Sequence, residues 1–373
     1  MAEIPVIVKK QPLYEERLEC TFQQCDVSLV NALRRTILSD IPTFVFKTFP
    51  HAENDVNITV NTSRQNNEIL KQRFSCIPVH LTDFTLPYRE ALFEINVTNN
   101  TKEILYVTTD DITVRHVPAD DSEEIPPLNK ELLSKMDPKI LFPHDPITND
   151  PIIICRLKPA IAKGMEGQSL KLSAKISIST AKNNGCYNVV NTCSFSNTTD
   201  VTAANIAWEQ ITAERAYETP EQQTKERDNW MLLEGKRYFK DRSFEFVLES
   251  LGIYENSVLI KVACKIMVEK LLLFREMKEV NIKESETTMA NSKDIVSPID
   301  YSIGKLLEYF IYQMYYESSK EIIYVNFFKE HPHNTDSILR IAIKPESEIT
   351  LEVMIPSVCD VIVDYLTKVS NLF

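Results

Sequence analysis

Glycine is scarce in this chain. There are 6 glycines in 373 residues, far below the average usage of about 7%. Phosphate-binding loops need glycine where the backbone approaches the ligand, and neither G-x-G-x-x-G nor G-x-x-x-x-G-K-[ST] occurs. The 8 cysteines include no C-x-x-C pair, and no run of 18 apolar residues is present. We therefore expect no nucleotide loop, no paired-cysteine metal centre and no membrane span.

Acidic residues outnumber basic residues, 53 to 41, and the formal net charge is −12. A protein that grips nucleic acid by itself usually carries a basic face, so we expect no direct, specific nucleic-acid binding. The first ten residues do not read as a signal peptide, and the dispersed cysteines are typical of reduced core thiols. These features predict an intracellular protein that works among other proteins.

The first fifty residues predict a strand, a helix and a second strand. Residues 17–23 alternate in polarity, as half-buried strands do. Asp26 or Ser28 can cap the helix that follows, and Pro42 marks its end. Residues 43–48 then predict a strand. The apolar stripe of the helix consists of Val30, Leu33, Ile37 and Leu38.

The middle of the chain has a different texture. Residues 50–200 contain short β-rich runs separated by Pro, Asn and Asp, which predicts a β-dominated domain. Within it, the acidic and proline-containing residues 120–127 predict a surface loop. A helix is predicted to begin with Thr219 as its cap and Pro220 as its first residue.

Residues beyond 240 predict a strand at 244–248 and a long helix at 256–278. We expect the buried stripe of that helix to contain Val258, Val262, Ile266, Leu273 and Met277. Residues 279–293 are polar and predict a linker.

The final module repeats the order of elements seen at the start. A helix is predicted from Ser302, followed by strands at 322–328 and 338–344 and a last helix. Pro356 is either the first residue of that last helix or an internal kink. The stripe of the first of these helices contains Ile303, Leu306, Leu307, Phe310, Ile311 and Met314.

Two segments of the chain match each other. Residues 26–33 read D-V-S-L-V-N-A-L and residues 300–307 read D-Y-S-I-G-K-L-L. Each segment opens an apolar-striped helix that leads to an aromatic, β-branched strand. The shared order of cap, helix and strand predicts a two-copy design whose helices pack as a pseudo-symmetric dimer.

At these residues the chain resembles the alpha-like subunits of multisubunit DNA-directed RNA polymerases. Residues 31–43, N-A-L-R-R-T-I-L-S-D-I-P-T, are similar to the N-A-L-R-R…(E/D)-[I/V]-P-[T/S] signature of bacterial alpha and of the larger eukaryotic and archaeal subunit. Residues 61–63, 107–112, 167–172 and 244–252 resemble further stretches of that subunit. Residues 300–307 and 325–333 are similar to the smaller alpha-like partner.

The resemblance implies an RNA polymerase II-like pair of subunits fused in one chain, as large nucleocytoplasmic DNA viruses encode. The expected function is a non-catalytic assembly platform that nucleates and holds the two catalytic large subunits and binds smaller ones. No cofactor or metal is expected, because the clustered cysteines that hold zinc in many relatives are missing. The family's H-A-K motif is missing as well, so the contacts that this motif makes in the family are not expected here. A viral source would imply the host cytoplasm, the virion or the nucleus.

The resemblance also implies an α+β fold with two alpha-like dimerisation modules, each an antiparallel sheet plus helices, packed as an intramolecular pseudo-dimer. The predicted divisions are 1–50 with 240–280 for the larger-subunit module, 51–239 for an inserted β-rich domain, 281–293 for the linker and 294–373 for the smaller-subunit module.

Candidate site residues lie on the two matching helices. We expect subunit docking at Asn31, Arg34 and Arg35, because an arginine fork pairs well with carboxylates or carbonyls of a partner. Successive arginines diverge by about 100° on a helix, so one of the two can face elsewhere. Module packing is expected at Val30, Leu33, Ile37, Leu306, Leu307 and Phe310.

Two other functions are compatible with parts of the sequence: a stand-alone enzyme and a β-rich viral structural protein. Cys20 and Cys25 have no identifiable base beside them, which favours core packing over nucleophilic catalysis. His331 and His333 lack a third ligand nearby, which favours a turn between strands over a metal site.

Overall fold

The computed structural model describes residues 5–10, 17–117, 134–162, 164–213, 219–276 and 282–373. The strands are β1 (Val6–Lys10), β2 (Arg17–Gln23), β3 (Thr43–Val45), β4 (Val56–Asn61), β5 (Ala91–Thr98), β6 (Leu105–Thr108), β7 (Thr113–His116), β8 (Ile153–Leu157), β9 (Ser169–Ala174), β10 (Ser177–Ser179), β11 (Val190–Thr199), β12 (Phe239–Ser250), β13 (Ile282–Glu284), β14 (Ser292–Ser297), β15 (Ile322–Phe328) and β16 (Ser337–Ile343). The helices are α1 (Val27–Ser39), α2 (Asn67–Ser75), α3 (Pro138–Leu141), α4 (Val201–Ala213), α5 (Pro220–Leu232), α6 (Asn256–Arg275), α7 (Tyr301–Ile311) and α8 (Leu351–Ser370).

The chain divides into two compact units. Unit 1 comprises Met1–Leu38, Val190–Glu249 and Asn256–Phe373, and unit 2 comprises Ser39–Val189 and Ser250–Glu255. Both units combine helices with antiparallel sheets, so the predicted α+β class is confirmed.

The first sheet of unit 1 has the strand order β1-β2-β12-β11. Strand β2 occupies residues 17–23 as predicted, and it pairs antiparallel with β12 so that Phe22 lies opposite Phe244 and Cys20 opposite Phe246. The rings of Phe22 and Phe246 meet edge to face with centroids 5.6 Å apart. Alternation in β2 therefore places its apolar residues in the core.

Helix α1 follows β2, and of the two capping residues that the sequence allows, Asp26 and Ser28, it is Asp26 that caps the helix. The Oδ1 atom of Asp26 accepts a hydrogen bond from the Ser28 N–H at 2.8 Å, which satisfies one of the free donors of the first turn. The strand after the helix is shorter than predicted: β3 ends at Val45 and pairs with β10 in unit 2.

The second sheet of unit 1 corrects the predicted linker at 281–293. Residue 281 is not among the described residues, but β13 and β14 form an antiparallel hairpin in the order β13-β14-β16-β15. The Ser285 N–H donates to the Ser292 carbonyl at 3.0 Å, next to the last strand pair. The polar side chains of the hairpin pair with neighbouring strands. A polar composition in this segment therefore does not indicate an unstructured linker.

Helix α6 corrects a predicted stripe. The predicted residues Val258 and Leu273 are exposed, at 37% and 70% of their surface. The buried face instead contains Leu259, Ile260, Ala263, Cys264, Met267, Leu271 and Phe274. Apolar residues occur on more than one side of this helix, so the sequence pattern is compatible with two buried faces. The face that packs consists of residues one position further along the chain than the predicted ones.

Unit 2 contains the sheet β4-β9-β5-β7 and two short ladders, β6-β8 and β10-β3. Phenylalanine rings fill its centre: Phe46 lies 4.4 Å from Phe74 and 5.3 Å from Phe93, measured between ring centroids. This arrangement agrees with the β-rich character expected of the middle of the chain. The acidic segment at 120–127 lies outside the described residues.

The boundaries of the units differ from the predicted divisions. Residues 190–239 belong to unit 1, because β11 joins its first sheet and α4 and α5 follow it. The Trp208 and Trp230 rings, 5.6 Å apart, join those two helices. Residues 39–50 belong to unit 2. Pro356 is internal to α8, which settles the alternative left open by the sequence.

Candidate functional site

Arg34 and Asn31 form one polar pair on α1. The Arg34 Nε and Nη2 atoms both donate to Asn31 Oδ1, at 3.2 and 2.9 Å. The two residues are one helical turn apart and both are half-buried, so Asn31 holds the guanidinium against the helix surface. An arginine fork carries five N–H donors, more than one amide oxygen can accept.

Arg35 faces in another direction, as expected for the next residue on a helix. Its Nε donates to the hydroxyl oxygen of Ser302 at 3.1 Å, so it joins the start of α7. Burial tends to raise the pKa of the neighbouring Asp300, but Lys270, the N–H groups of Ser302 and Ile303, and Arg35 together lower it below its usual value. Arg35 therefore stabilises the packing of the chain itself.

The matching helix α7 carries a polar pair at the equivalent positions. Lys305 Nζ donates to Glu308 Oε2 at 2.7 Å, one helical turn apart like Asn31 and Arg34. The same carboxylate oxygen accepts the Phe327 N–H at 2.6 Å, which ties α7 to β15. Aligning the two repeats by sequence places Lys305 at the position of Asn31 and Glu308 at the position of Arg34. This alignment could have predicted the pair from the sequence.

All six residues proposed for module packing are buried. Their side chains are exposed by no more than 2%: Val30, Leu33, Ile37, Leu306, Leu307 and Phe310. Phe310 meets Tyr365 of α8 edge to face with ring centroids 5.3 Å apart. These contacts lie in the hydrophobic core of unit 1.

Several contacts join residues 17–275 to residues 292–373 within unit 1. Helices α6 and α8 pack along each other, and Arg275 Nη2 lies 3.2 Å from an oxygen of Asp360. Phe22 of β2 packs against Phe373, with ring centroids 5.9 Å apart. The N-terminal and C-terminal parts of unit 1 therefore share one core.

Gly304 is a further residue that the packing requires. A Cβ atom at this position would lie 2.3 Å from the ring of Phe327, well inside van der Waals distance. The equivalent position in α1 is Val30, so the two repeats differ where β15 approaches α7.

The cysteine and histidine candidates have structural settings. Cys20 and Cys25 are each 1% exposed, and burial raises the pKa of Cys25 to about 12 with a further contribution from Asp26. Such a thiol stays protonated and packs as a small apolar group. The exposed His331 and His333 lie between β15 and β16, with ring centroids 4.8 Å apart. In the described ranges, no group of three or more His, Cys, Asp or Glu residues is arranged to hold a metal ion.

The motifs outside the helices serve the geometry of turns and strands. Asn61 Oδ1 accepts the Ser63 N–H at 3.0 Å, and Asn61 Nδ2 donates to the Gln65 carbonyl at 2.8 Å. Gly167 passes so close to the Asn99 carbonyl oxygen that a Cβ atom would lie 1.9 Å from it. These residues shape unit 2 and present no reactive group.

Comparison with known proteins identifies the family. The RNA polymerase Rpb3/Rpb11 dimerisation domain matches residues 19–271, which is more than half of the chain. The match includes α1, most of β2 and α6, and all of unit 2. The chain belongs to this family.

Two relatives share shorter segments. The chain is similar to the "Conjugation stage-specific protein" of Tetrahymena thermophila, with 30% identity over 116 residues, which are 28% of this chain and 35% of that protein. It is also similar to "DNA-directed RNA polymerases IV and V subunit 3B" of Arabidopsis thaliana, with 36% identity over 72 residues, or 19% of this chain and 20% of that protein. The chain thus spans about a third of one relative and a fifth of the other.

The helices were also compared with the length and hydropathy that a bilayer requires. Across the described residues, none of them combines the two in the way a membrane-crossing segment does.

Proposed function

We propose that this chain is a non-catalytic assembly subunit of a DNA-directed RNA polymerase, in which a larger and a smaller alpha-like module are fused. The dimerisation-domain family and the similarity to a plant polymerase subunit support the general role. The fused architecture is our interpretation of residues 292–373, which lie beyond the matched range and repeat its plan.

The observation that carries the proposal is the pairing of the two matching helices in unit 1. Arg35, near the end of α1, contacts Ser302 at the start of α7. Residues from the start of α1 and the end of α7 line a shared cavity. The helices therefore run antiparallel, as two copies related by a two-fold axis would.

Fusion gives this platform a physical advantage. Two separate subunits associate in proportion to their concentrations, whereas two modules in one chain meet at an effective concentration of about millimolar. We infer that the paired modules form a preassembled surface for the two catalytic large subunits and for smaller polymerase subunits. The same proposal places the protein inside the cell, where the polymerase transcribes.

Docking to a large subunit is assigned to the pair formed by Asn31 and Arg34. In the structure Arg34 bonds to Asn31 of its own helix, whereas Arg35 bonds to Ser302. A carboxylate or a row of backbone carbonyls on the large subunit is the complementary surface.

Affinity purification of the tagged chain from its native source, followed by mass spectrometry, tests the proposal. Wild type should recover two very large polymerase subunits, and Arg34→Glu should lose at least one of them while remaining folded by circular dichroism. Arg237→Glu is the matched control, because the Arg237 side chain is 78% exposed and pairs with Glu234, three residues before it. Recovery of the wild-type chain without polymerase subunits would refute the assembly role.

A further inference from the structure

The two ends of the α1 and α7 pair differ in how they are filled. At the end where α1 begins, an open cavity of about 390 Å³ lies between the helices. We call it the α1-start groove. Its walls include Asp26, which caps α1, and Ser28 and Asn31 of that helix. The facing wall includes Lys305 and Tyr309 of α7 and Tyr312, the residue directly after α7.

The opposite end is closed by basic side chains of the chain itself. Arg35 Nε donates to Ser302 Oγ at 3.1 Å, and Lys270 Nζ lies 4.0 Å from the carboxylate of Asp300. A hydroxyl and a helix-capping carboxylate are thus both satisfied by cations.

The repeat places the same two acceptors in the α1-start groove. Asp26 is equivalent to Asp300, and each caps its helix by accepting an N–H bond, at 2.8 and 3.0 Å. Ser28 is equivalent to Ser302, yet the Ser28 hydroxyl oxygen is buried and has no hydrogen-bond partner within the described part of the chain. A buried polar group without a partner costs free energy, which a ligand that supplies a donor would recover.

The cations of the closed end have no equivalent in the groove. Tyr309 occupies the position of Arg35 in the repeat. Tyr365 corresponds to Lys270, because each lies fourteen residues after the first residue of its helix. Both cations of the closed end are thus replaced by tyrosines in the repeat, and of these Tyr309 lines the groove.

Two basic groups near the groove do not fill this gap. Lys305, which lines the groove, donates through Nζ to Glu308 Oε2 at 2.7 Å. The second is Arg242, whose charge opposes the rise in the pKa of Tyr309 that burial causes. Its Nη2 atom donates instead to the Gln24 carbonyl at 3.2 Å. The groove therefore retains an acceptor pair together with aromatic walls.

We propose that the α1-start groove is a docking site for an arginine side chain of a partner protein, which would occupy the place that Arg35 occupies at the opposite end. An arginine fork can donate to Ser28 Oγ and to the Asp26 carboxylate at once. Its planar face can stack on the rings of Tyr309 and Tyr312. The inference rests on the proposed function for the identity of the partner, a polymerase subunit, but its chemistry can be tested separately.

The test uses the full chain and a defined probe, the blocked tripeptide acetyl-Gly-Arg-Gly-amide. Tyrosine ring signals are followed by NMR during titration, and Tyr309→Phe and Tyr312→Phe assign the two groove signals. The matched probe replaces arginine by citrulline, which has the same shape without the charge. The expected result is a saturable shift of both signals with arginine and none with citrulline.

Variants locate the binding. Asp26→Asn keeps an oxygen that can cap α1 but removes the charge, so it should weaken arginine binding about tenfold, the scale of one charge-assisted hydrogen bond. Asp300→Asn is the matched control at the filled end and should leave binding unchanged. Tyr309→Arg should fill the groove from within and abolish binding of the probe.

Several outcomes would overturn the proposal. These are equal response to the two peptides, no saturable shift at Tyr309 and Tyr312, undiminished binding by Asp26→Asn, or preference for a glutamate peptide. None of them depends on recovering polymerase subunits. Conversely, arginine binding in a chain that recovers no polymerase subunit would contradict only the proposed function.

Discussion

Single residues show why the two repeats are not interchangeable. Val30 in α1 is replaced by Gly304 in α7, where the ring of Phe327 lies against the helix backbone. Lys305 and Glu308 of α7 take the positions of Asn31 and Arg34 in α1. The second residue of the pair is thus positive in α1 and negative in α7. The two helices therefore present different side chains at equivalent positions of the repeat.

Gly304→Ala should destabilise unit 1 by about 1–3 kcal/mol, the usual cost of overpacking. The added Cβ atom would lie 2.3 Å from the Phe327 ring, and the ring sits between α7 and β15. Urea unfolding of the two proteins measures the difference. Gly185→Ala is the control, because no atom lies within 4 Å of the Cβ position there; an equal effect of both substitutions would contradict the packing argument.

The sequence predicts one docking group that contains both arginines. In the structure the side chains of Arg34 and Arg35 bond to different partners. The match to the family motif could not decide which arginine faces inward, since both are compatible with a helix surface. The choice depends on Ser302, which is 267 positions away along the chain. Long-range partners of this kind are not encoded in local periodicity.

At the scale of elements, caps and strands were predictable because their signals are local. The strands at 17–23 and 322–328 occur where the sequence predicts them, and Asp26 is one of the two capping residues that the sequence allows. The hairpin of β13 and β14 was missed because its stability comes from pairing with β16. The buried face of α6 was misplaced because apolar residues on this helix are not confined to one stripe.

The cap of α7 predicts a pH dependence of stability. The pKa of Asp300 is lowered on folding, because Lys270, two backbone N–H groups and Arg35 outweigh the effect of burial. As pH falls, Asp300 is protonated in the unfolded chain before it is protonated in the folded chain. The contribution of the Asp300 carboxylate to stability is therefore complete above its ordinary pKa of 3.8 and is lost below that value.

Asp300→Asn isolates that effect. At neutral pH the variant should be less stable than wild type, since it keeps a capping oxygen but loses the charge that faces Lys270. The gap in unfolding free energy should close as pH falls through the lowered pKa. Urea titrations from about pH 7 down to about pH 2.5 measure this, a range that brackets the usual aspartate pKa; a gap that stays constant would contradict the assignment.

The hairpin is held to the sheet by an ion pair between β14 and β16. Arg340 Nε and Nη2 lie 2.6 and 2.7 Å from the two oxygens of Asp294. The guanidinium also lies 5.1 Å from the ring centroid of Phe328. A fork that pairs with both oxygens and stacks on a ring needs the planar shape of arginine.

Arg340→Lys should therefore destabilise unit 1 by about 1–2 kcal/mol, because lysine supplies a single point of contact. Thermal unfolding and hydrogen exchange of the β14 amides would report the change. Arg237→Lys, at an exposed ion pair, should have no measurable effect. Equal stabilities of Arg340→Lys and wild type would show that the pair does not secure the hairpin.

At the scale of the whole molecule, unit 1 contains both matching modules and unit 2 separates parts of the first along the sequence. The repeat predicted two modules, but the boundaries could not be read from composition. The sequence predicts that residues 190–239 belong to the β-rich middle of the chain, yet β11 joins the sheet that contains β2. Membership of a sheet is decided by partners far away in the sequence.

Our central proposal is that one chain supplies both alpha-like modules. Native mass spectrometry of the polymerase complex, purified through a tag on this chain, tests that claim most directly. We predict one copy of the chain for each pair of large subunits, with no separate alpha-like subunit. Two copies of the chain, or a second alpha-like polypeptide beside it, would contradict the fused-platform account.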